Sequence, residues 1–394
     1  MQQRHWLTVT LAGSLTLCLA LGIRQGFGLF LTPITADLGI GRGSFALAIA
    51  SQNLLWGGVQ PFVGMIADRF GTGRVLATGA ALYILGLLVM AGGSPIALNL
   101  GAGLLVGLGL SGVSFAVVLG GVGRLVAPER RMTALALASA GGSLGQFLMI
   151  PTTQGLLAAF GWQQALIALA LCVTPLFVLG GTLRGKAAAA SDGNSPFKAL
   201  KGAFGHSGYV LLTFGFFVCG FHVVFIATHL PAYLVDLGFD SSLGATALTL
   251  IGFFNIFGTY AWGVIGGKYR KKTMLSLLYG LRAMTLALFI FLPKSELTVL
   301  FFAGSMGALW LGTVPLTSGL VGDIFGVRYV STLFGMVFFG HQVGAFCGAW
   351  LGGFVFDRTG SYNAVWLTAL GLSLVAMVIH LVLRDSRQGQ ENGG

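Results

Sequence analysis

Acid is what this sequence lacks most. Only 11 of its 394 residues are Asp or Glu, and each falls in a polar connecting segment or at the end of an apolar run. A proton relay built from buried carboxylates is therefore excluded, and so is a buried anionic receptor for a cation. Charged residues of both signs make up 8%, against the about 25% that is usual in soluble domains. A water-soluble globule is excluded as well. The four cysteines, Cys18, Cys172, Cys219 and Cys347, lie inside apolar runs, where they read as small packing residues, not as a disulfide framework. No cluster of His, Cys and acidic residues at metal-ligand spacing is readable, so no metal, cofactor or enzyme chemistry is expected. No segment alternates apolar and polar residues as the strands of a membrane barrel do. No small-residue cleavage site follows Arg4 and the first apolar run, which makes that run a first span, not a signal peptide.

What is present is hydrophobic: 55% of the chain, with a mean hydropathy of +0.87 and 63 glycines. Twelve runs are long enough to cross about 30 Å of hydrocarbon, at 6–33, 44–67, 74–92, 96–124, 132–156, 162–183, 208–234, 243–266, 273–292, 297–321, 331–356 and 362–383. The fold class is all-α and polytopic, with glycine letting helices approach closely. One long polar gap divides the chain into a half at 1–183, a cytoplasmic linker at 184–207 and a half at 208–394. The net charge of +11 does not point to nucleic acid, because the bases sit in short connections, where they set orientation. With the N-terminus inside, 17 of the 22 Lys and Arg fall on the cytoplasmic side and 3 in outer loops, Arg24 and Arg282 lying within spans. We therefore expect a monomer in a bacterial inner membrane, with both termini cytoplasmic and the lipid bilayer as its surroundings.

The halves look duplicated. An offset of 199 positions brings Asp37 onto Asp236, Gly39 onto Gly238, Gly64 onto Gly263, Thr133 onto Thr332, Gly145 onto Gly344, Gly161 onto Gly360 and Ala165 onto Ala364. Two six-helix halves related by an axis along the membrane normal form a transporter plan, with the substrate between them near mid-membrane.

The turn after the second run reads GMIADRFGTGR, with Gly64, Asp68, Arg69, Gly71 and Arg74. It resembles the gating signature of the major facilitator superfamily, although Thr72 and Gly73 stand where that family places bases. The glycine would permit close helix contact, and Asp68 would accept hydrogen bonds from helix N-termini and cations at the cytoplasmic gate. The second copy, GVIGGKYRKK, has Gly267 in place of the acid, and no base stands near Gly103 in the fourth run. The stretches 22–71, 219–238 and 338–362 together resemble the bacterial branch of the monocarboxylate transporter family. That resemblance implies the twelve-helix major facilitator fold and a cation in span one near Arg24. Relatives also carry an arginine in span eight, which here reads LTLIGFFNIFGTYAWG, with Asn255.

Arg24 has no acid nearer along the chain than thirteen residues, about 20 Å of helix. Either it snorkels to the outer interface, or its missing counter-ion is the substrate, since a guanidinium fork suits a carboxylate. Arg282 reads as a structural or supporting residue. His222 and His229 share a face of span seven, and His341 precedes Gln342; each is either a hydrogen-bonded packing residue or a proton site. Further polar residues for a cavity wall are Gln25, Gln52, Asn53, Gln146, Asn255, Thr313 and Thr317, and Pro315 should kink span ten. The expected function is alternating-access transport of a small organic monoanion, with a proton carried by His222, His341 or the substrate's carboxyl group. Export of a weakly acidic hydrophobic metabolite or drug is the nearest alternative. A non-transporting membrane sensor would call for an appended signalling domain or long loop, and neither is readable.

Overall fold

The computed structural model describes residues 2–184, 196–326 and 330–385. These residues form helices and connecting turns, with no strand among them. Ten helical stretches are long and apolar enough to span a membrane. One of them, Glu129–Thr182, passes through Gly161, whose φ of 76° lies outside the helical region. It is therefore two spans. Arg42–Phe70, which is not among the ten, makes the twelfth. In chain order they are α1 (Trp6–Leu38), α2 (Arg42–Phe70), α3 (Thr72–Ala91), α4 (Pro95–Leu125), α5 (129–160) and α6 (162–182), then α7 (Ser207–Asp236), α8 (Ser241–Lys268), α9 (Lys271–Phe291), α10 (Glu296–Phe325), α11 (Thr332–Thr359) and α12 (Asn363–Val382). Of the expected linker, 185–195 lies outside the described residues, and Pro196–Phe204 is a short helix. Its Ala203 is buried, and Phe204 meets Tyr209 edge-on at 5.5 Å.

The sequence reading ended the first span near Pro33, but α1 continues to Leu38. The helix tightens over Gly26–Phe30 and restarts at Leu31. That restart leaves Pro33 in a first turn, where its missing N–H costs nothing. Span ten breaks at 309–312 and resumes at Thr313, just ahead of Pro315, whose ring crowds the carbonyl four residues earlier. Span four breaks too, at Ser114, whose backbone is extended.

The 199-residue offset holds in the packing. A Cβ on Gly145 would run into the backbone carbonyl of Cys18, and one on Gly344 into that of Phe217; the four positions are two pairs at the same offset. Gly161 and Gly360 both have positive φ, 76° and 67°, a region that glycine enters without a Cβ penalty. The breaks match as well, since Ser114 corresponds to Thr313.

With twelve spans, the start of α1 and the end of α12 lie at one face of the bundle, here the terminal face. At the opposite, far face and through the middle the two sets of six helices touch. Gly28 of α1 meets the carbonyl of Ala227 on α7, and Gly353 of α11 meets that of Arg42 on α2. Deeper, Trp56 of α2 packs on Phe338 of α11 at 5.7 Å, and Asn255 of α8 donates to Ser143 of α5 at 3.0 Å. Toward the terminal face, Phe62, Met65, Ile66 and Phe70 of α2 are exposed, and nothing lies within 4 Å of where a Cβ on Gly64 or Gly335 would sit. The bundle is closed at the far face and opens toward the terminal one.

Candidate functional site

The tightened turn of α1 begins just after Arg24, and this places the guanidinium against α2 in the middle of the bundle. Its Nη1 donates to Gln25 Oε1 at 2.9 Å and its Nη2 to Asn53 Oδ1. Its carbon lies 5.1 Å from the centre of the Trp56 ring, and the Trp56 indole donates to Ser114 Oγ at 2.8 Å, at the break in α4. Nε of Arg24 is buried with no partner. The partners of this arginine are thus amide oxygens and an aromatic face. A guanidinium has five N–H donors, so two are used and three remain. Gln25, Gln52, Ala227 and Thr228 line a cavity of about 10 Å³ beside it, room for about one water molecule. Asn53 is held from behind, its amide donating to Ile49 O at 2.7 Å, and Gln52 donates to Ala102 O at 2.9 Å.

The aromatic wall continues from Trp56 through Phe338 to His341, whose ring stacks on Phe338 at 5.6 Å. His341 Nδ1 lies 3.2 Å from Gln342 Oε1, while Nε2 of Gln342 and Nε2 of Gln146 are buried without partners. The structure brings Arg24, Gln25 and Asn53 into contact and links them through aromatic rings to His341 and Gln342. Other residues expected at the cavity wall, His222, Asn255 and Thr313, are engaged elsewhere. His222 is fully buried within the second half, its Nε2 donating to Ala369 O at 2.8 Å. Asn255 joins α5 and α8, and its Oδ1 accepts from the Leu311 N–H at 3.1 Å, tying down the break in α10.

Arg282 is completely buried on α9 and serves the same break. Its Nε and Nη2 donate to Leu309 O at 3.2 and 2.7 Å, and Nη2 also reaches Trp310 O. Carbonyls freed by the broken helix are natural acceptors for such a cation. Nη2 lies 3.7 Å from Cys219 Sγ, itself 3.2 Å from Thr313 Oγ1.

At the terminal face the signature turn differs from expectation. Gly64 makes no close approach here, with nothing within 4 Å of the place of its Cβ. The side chain of Asp68 lies outside the described residues. Arg69 lies over Phe70 at 5.3 Å, Arg74 is exposed, and Gly71 turns the chain with φ 94°. The two residues that replace the family's bases have packing roles. Thr72 Oγ1 accepts from Arg124 at 2.6 Å, and a Cβ on Gly73 would lie 2.5 Å from Gly180 O on α6. In the second half the matching pair is Lys271 and Asp323, 2.7 Å apart, with the base on the turn and the acid on the broken helix.

The far face holds a feature that the sequence reading missed. Asp357 of α11 accepts from the backbone N–H groups of Arg42 and Gly43 at 2.8 and 2.7 Å, capping α2 from the opposite half. The Arg42 side chain pairs with both oxygens of Asp236 on α7, at 2.5 and 2.7 Å, lies over Phe356 at 3.8 Å and donates to Tyr362 Oη at 3.1 Å. A bidentate pair of this kind fixes geometry as well as energy. The positions at the other seam that match Arg42 and Gly353 by the offset, Ser241 and Gln154, meet only at 3.4 Å. The available signal was the scarcity of bases in the outer loops, which makes Arg42 conspicuous.

Monocarboxylate transporter 13 of Rattus norvegicus is 25% identical over 372 residues, covering 92% of this chain and 85% of that one. The oxalate:formate antiporter of Oxalobacter formigenes is 23% identical over 383 residues, covering 93% and 88%. Among solved structures, that of a D-xylose-proton symporter superposes with a TM-score of 0.76 at 13% identity, over 97% of this chain and 99% of the other. The Major Facilitator Superfamily model matches residues 13–314 and 247–394. With twelve spans and a packing repeated at one offset, this places the chain in the Major Facilitator Superfamily, as a transporter.

Proposed function

We propose that the chain carries a small organic monoanion by alternating access, coupled to a proton, and that Arg24 binds the anion. The observation that carries this reading is a mid-bundle guanidinium whose partners are amides, with Nε left open. A buried cation without a carboxylate is costly unless a ligand supplies one. Gln25 and Asn53 contact Arg24, His341 and Gln342 follow along the aromatic wall, and Gln146 and Gln342 each present an unpartnered N–H donor that suits a carboxylate oxygen. The names of the monocarboxylate and oxalate:formate relatives support the same substrate class. The protein works as a monomer in a bacterial inner membrane with the terminal face cytoplasmic, so this conformation is closed outward and open inward.

Thermal shift of the purified protein against small carboxylates, cations and neutral solutes tests the substrate class. Monocarboxylates should stabilise it, and liposome uptake of the best of them should rise as the outside is acidified and collapse with a protonophore. A preferred cationic solute would end this reading. Orientation is tested separately by single cysteines and an impermeant reagent on whole cells. Positions 240 and 360 should label and positions 72 and 270 should not; the reverse pattern would invert the assignment.

A further inference from the structure

We propose that His229 is a proton-binding site that controls the far-face closure: neutral His229 holds the closure shut, and a proton arriving from the far side releases it. This deepens the transport reading above and rests on it only for its physiological meaning. The hydrogen bonds leave one arrangement for the neutral state. Nε2 of His229 lies 2.7 Å from Ala349 O, which can only accept, so Nε2 carries the hydrogen. Nδ1, 3.1 Å from Tyr362 Oη, must then accept, and the hydroxyl donates to it. The hydroxyl oxygen is thereby free to accept from Arg42 Nη1 at 3.1 Å. Arg42 in turn holds Asp236, while its backbone is capped by Asp357. One directed chain thus runs from a buried imidazole to the ion pair that joins the halves.

A proton on Nδ1 breaks this chain. The imidazolium would donate at both nitrogens, and the Tyr362 hydroxyl would have to accept from two cations at once. Its own hydrogen would then point among the rings of Phe225, Tyr233 and Phe356, which pack on Tyr362 at 6.4, 6.0 and 4.7 Å. The His229 ring is fully buried and packed against Gly352, where it fills the place of a Cβ. Relief comes from withdrawing Arg42, and with it the closure. The charged and titratable groups near this chain are Arg42 on α2, Asp236 and Tyr233 on α7, Asp357 and Arg358 on α11, and Tyr362 ahead of α12. Arg24 of α1 lines the cavity beside Thr228, the preceding residue, and Asp240 caps α8. Of these only Asp236 and Asp357 are acids that touch Arg42, and neither touches the imidazole. A proton there therefore adds a cation next to a cation.

The test is a distance measurement that needs no substrate. Spin labels on Ile96→Cys and Leu297→Cys, both exposed positions at the starts of α4 and α10, report far-face separation. In the otherwise wild-type protein, lowering the pH from about 8 to about 5, across the histidine range, should raise the separated population at least threefold. His229→Gln should lose that response. Tyr362→Phe keeps the ring, removes the bridge and should lose it too, which covers the case of a His229 variant that does not fold. A wild-type separation indifferent to pH, or an undiminished response in either variant, would overturn the proposal. A protein that failed every anion uptake assay would still give this answer, so the two readings fail separately.

Discussion

An Arg24→Ala protein should bind its anion ten- to a hundredfold more weakly than wild type while still inserting and folding. A charge-assisted hydrogen bond contributes about 1.5–3 kcal/mol, and each 1.4 kcal/mol is about tenfold in affinity. The free Nε and the two unused Nη hydrogens are what such an anion would meet. Folding should survive because the substitution removes a charge that no carboxylate touches. What it gives up is the contact with Trp56, about 0.5–2 kcal/mol, and two bonds to amides that can find other donors. Arg24→Lys should be intermediate, since it keeps the charge and loses the planar fork. Titration of purified protein with the best carboxylate from the thermal-shift panel measures this. Unchanged affinity in a well-folded Arg24→Ala protein would leave Arg24 as a packing cation only.

Gly28→Leu should abolish net uptake and yet leave a foldable protein. The place of a Cβ on Gly28 is already filled by the carbonyl oxygen of Ala227. Those residues belong to different halves, so separation of α1 from α7 relieves the clash without unpacking either half. Overpacking of this kind costs about 1–3 kcal/mol or more, enough to disfavour the closed far face by up to about a hundredfold. The protein should be held open at the far face, binding substrate from that side without delivering it. Gly145→Leu is the contrast, because its clash with Cys18 lies within one half; that variant should lose thermal stability instead. Liposome flux and melting temperature, measured on both proteins, separate the outcomes. A Gly28→Leu protein with normal flux would show that α1 and α7 need not approach in the cycle.

The spans were legible because a bilayer demands about 20 apolar residues for each crossing, and the offset was legible because glycines at crossings and helix ends recur where backbones must touch. The breaks were half legible: Pro315 marked span ten, whereas nothing comparable stands at Ser114. Arg24 was found by its cost. Arg42 was not, because its partners lie 194 and 315 positions away and no local pattern joins them. His222 was read toward the cavity because span seven lines it in this fold, but around His222 this helix is buried on every side, and packing alone decides which way one residue points. The bonds of Asn255 were illegible for a related reason, since the Leu311 N–H that needs its oxygen exists only once α10 is broken.

Because the two halves share a backbone plan, each crossing has a twin that shows what its side chains are for. Tyr83 and Arg282 are such twins, 199 positions apart, and so are Ala20 and Cys219. In the first half the Tyr83 hydroxyl donates to the carbonyl of Ala20 at 2.9 Å; in the second, Arg282 reaches Cys219 and the carbonyls of Leu309 and Trp310. A neutral phenol suffices to bridge the crossing, so the positive charge at Arg282 is surplus to helix assembly there. What the surplus does is hold the freed backbone carbonyls of α10, whereas at the matching break in α4 the uncharged indole of Trp56 reaches only the Ser114 hydroxyl.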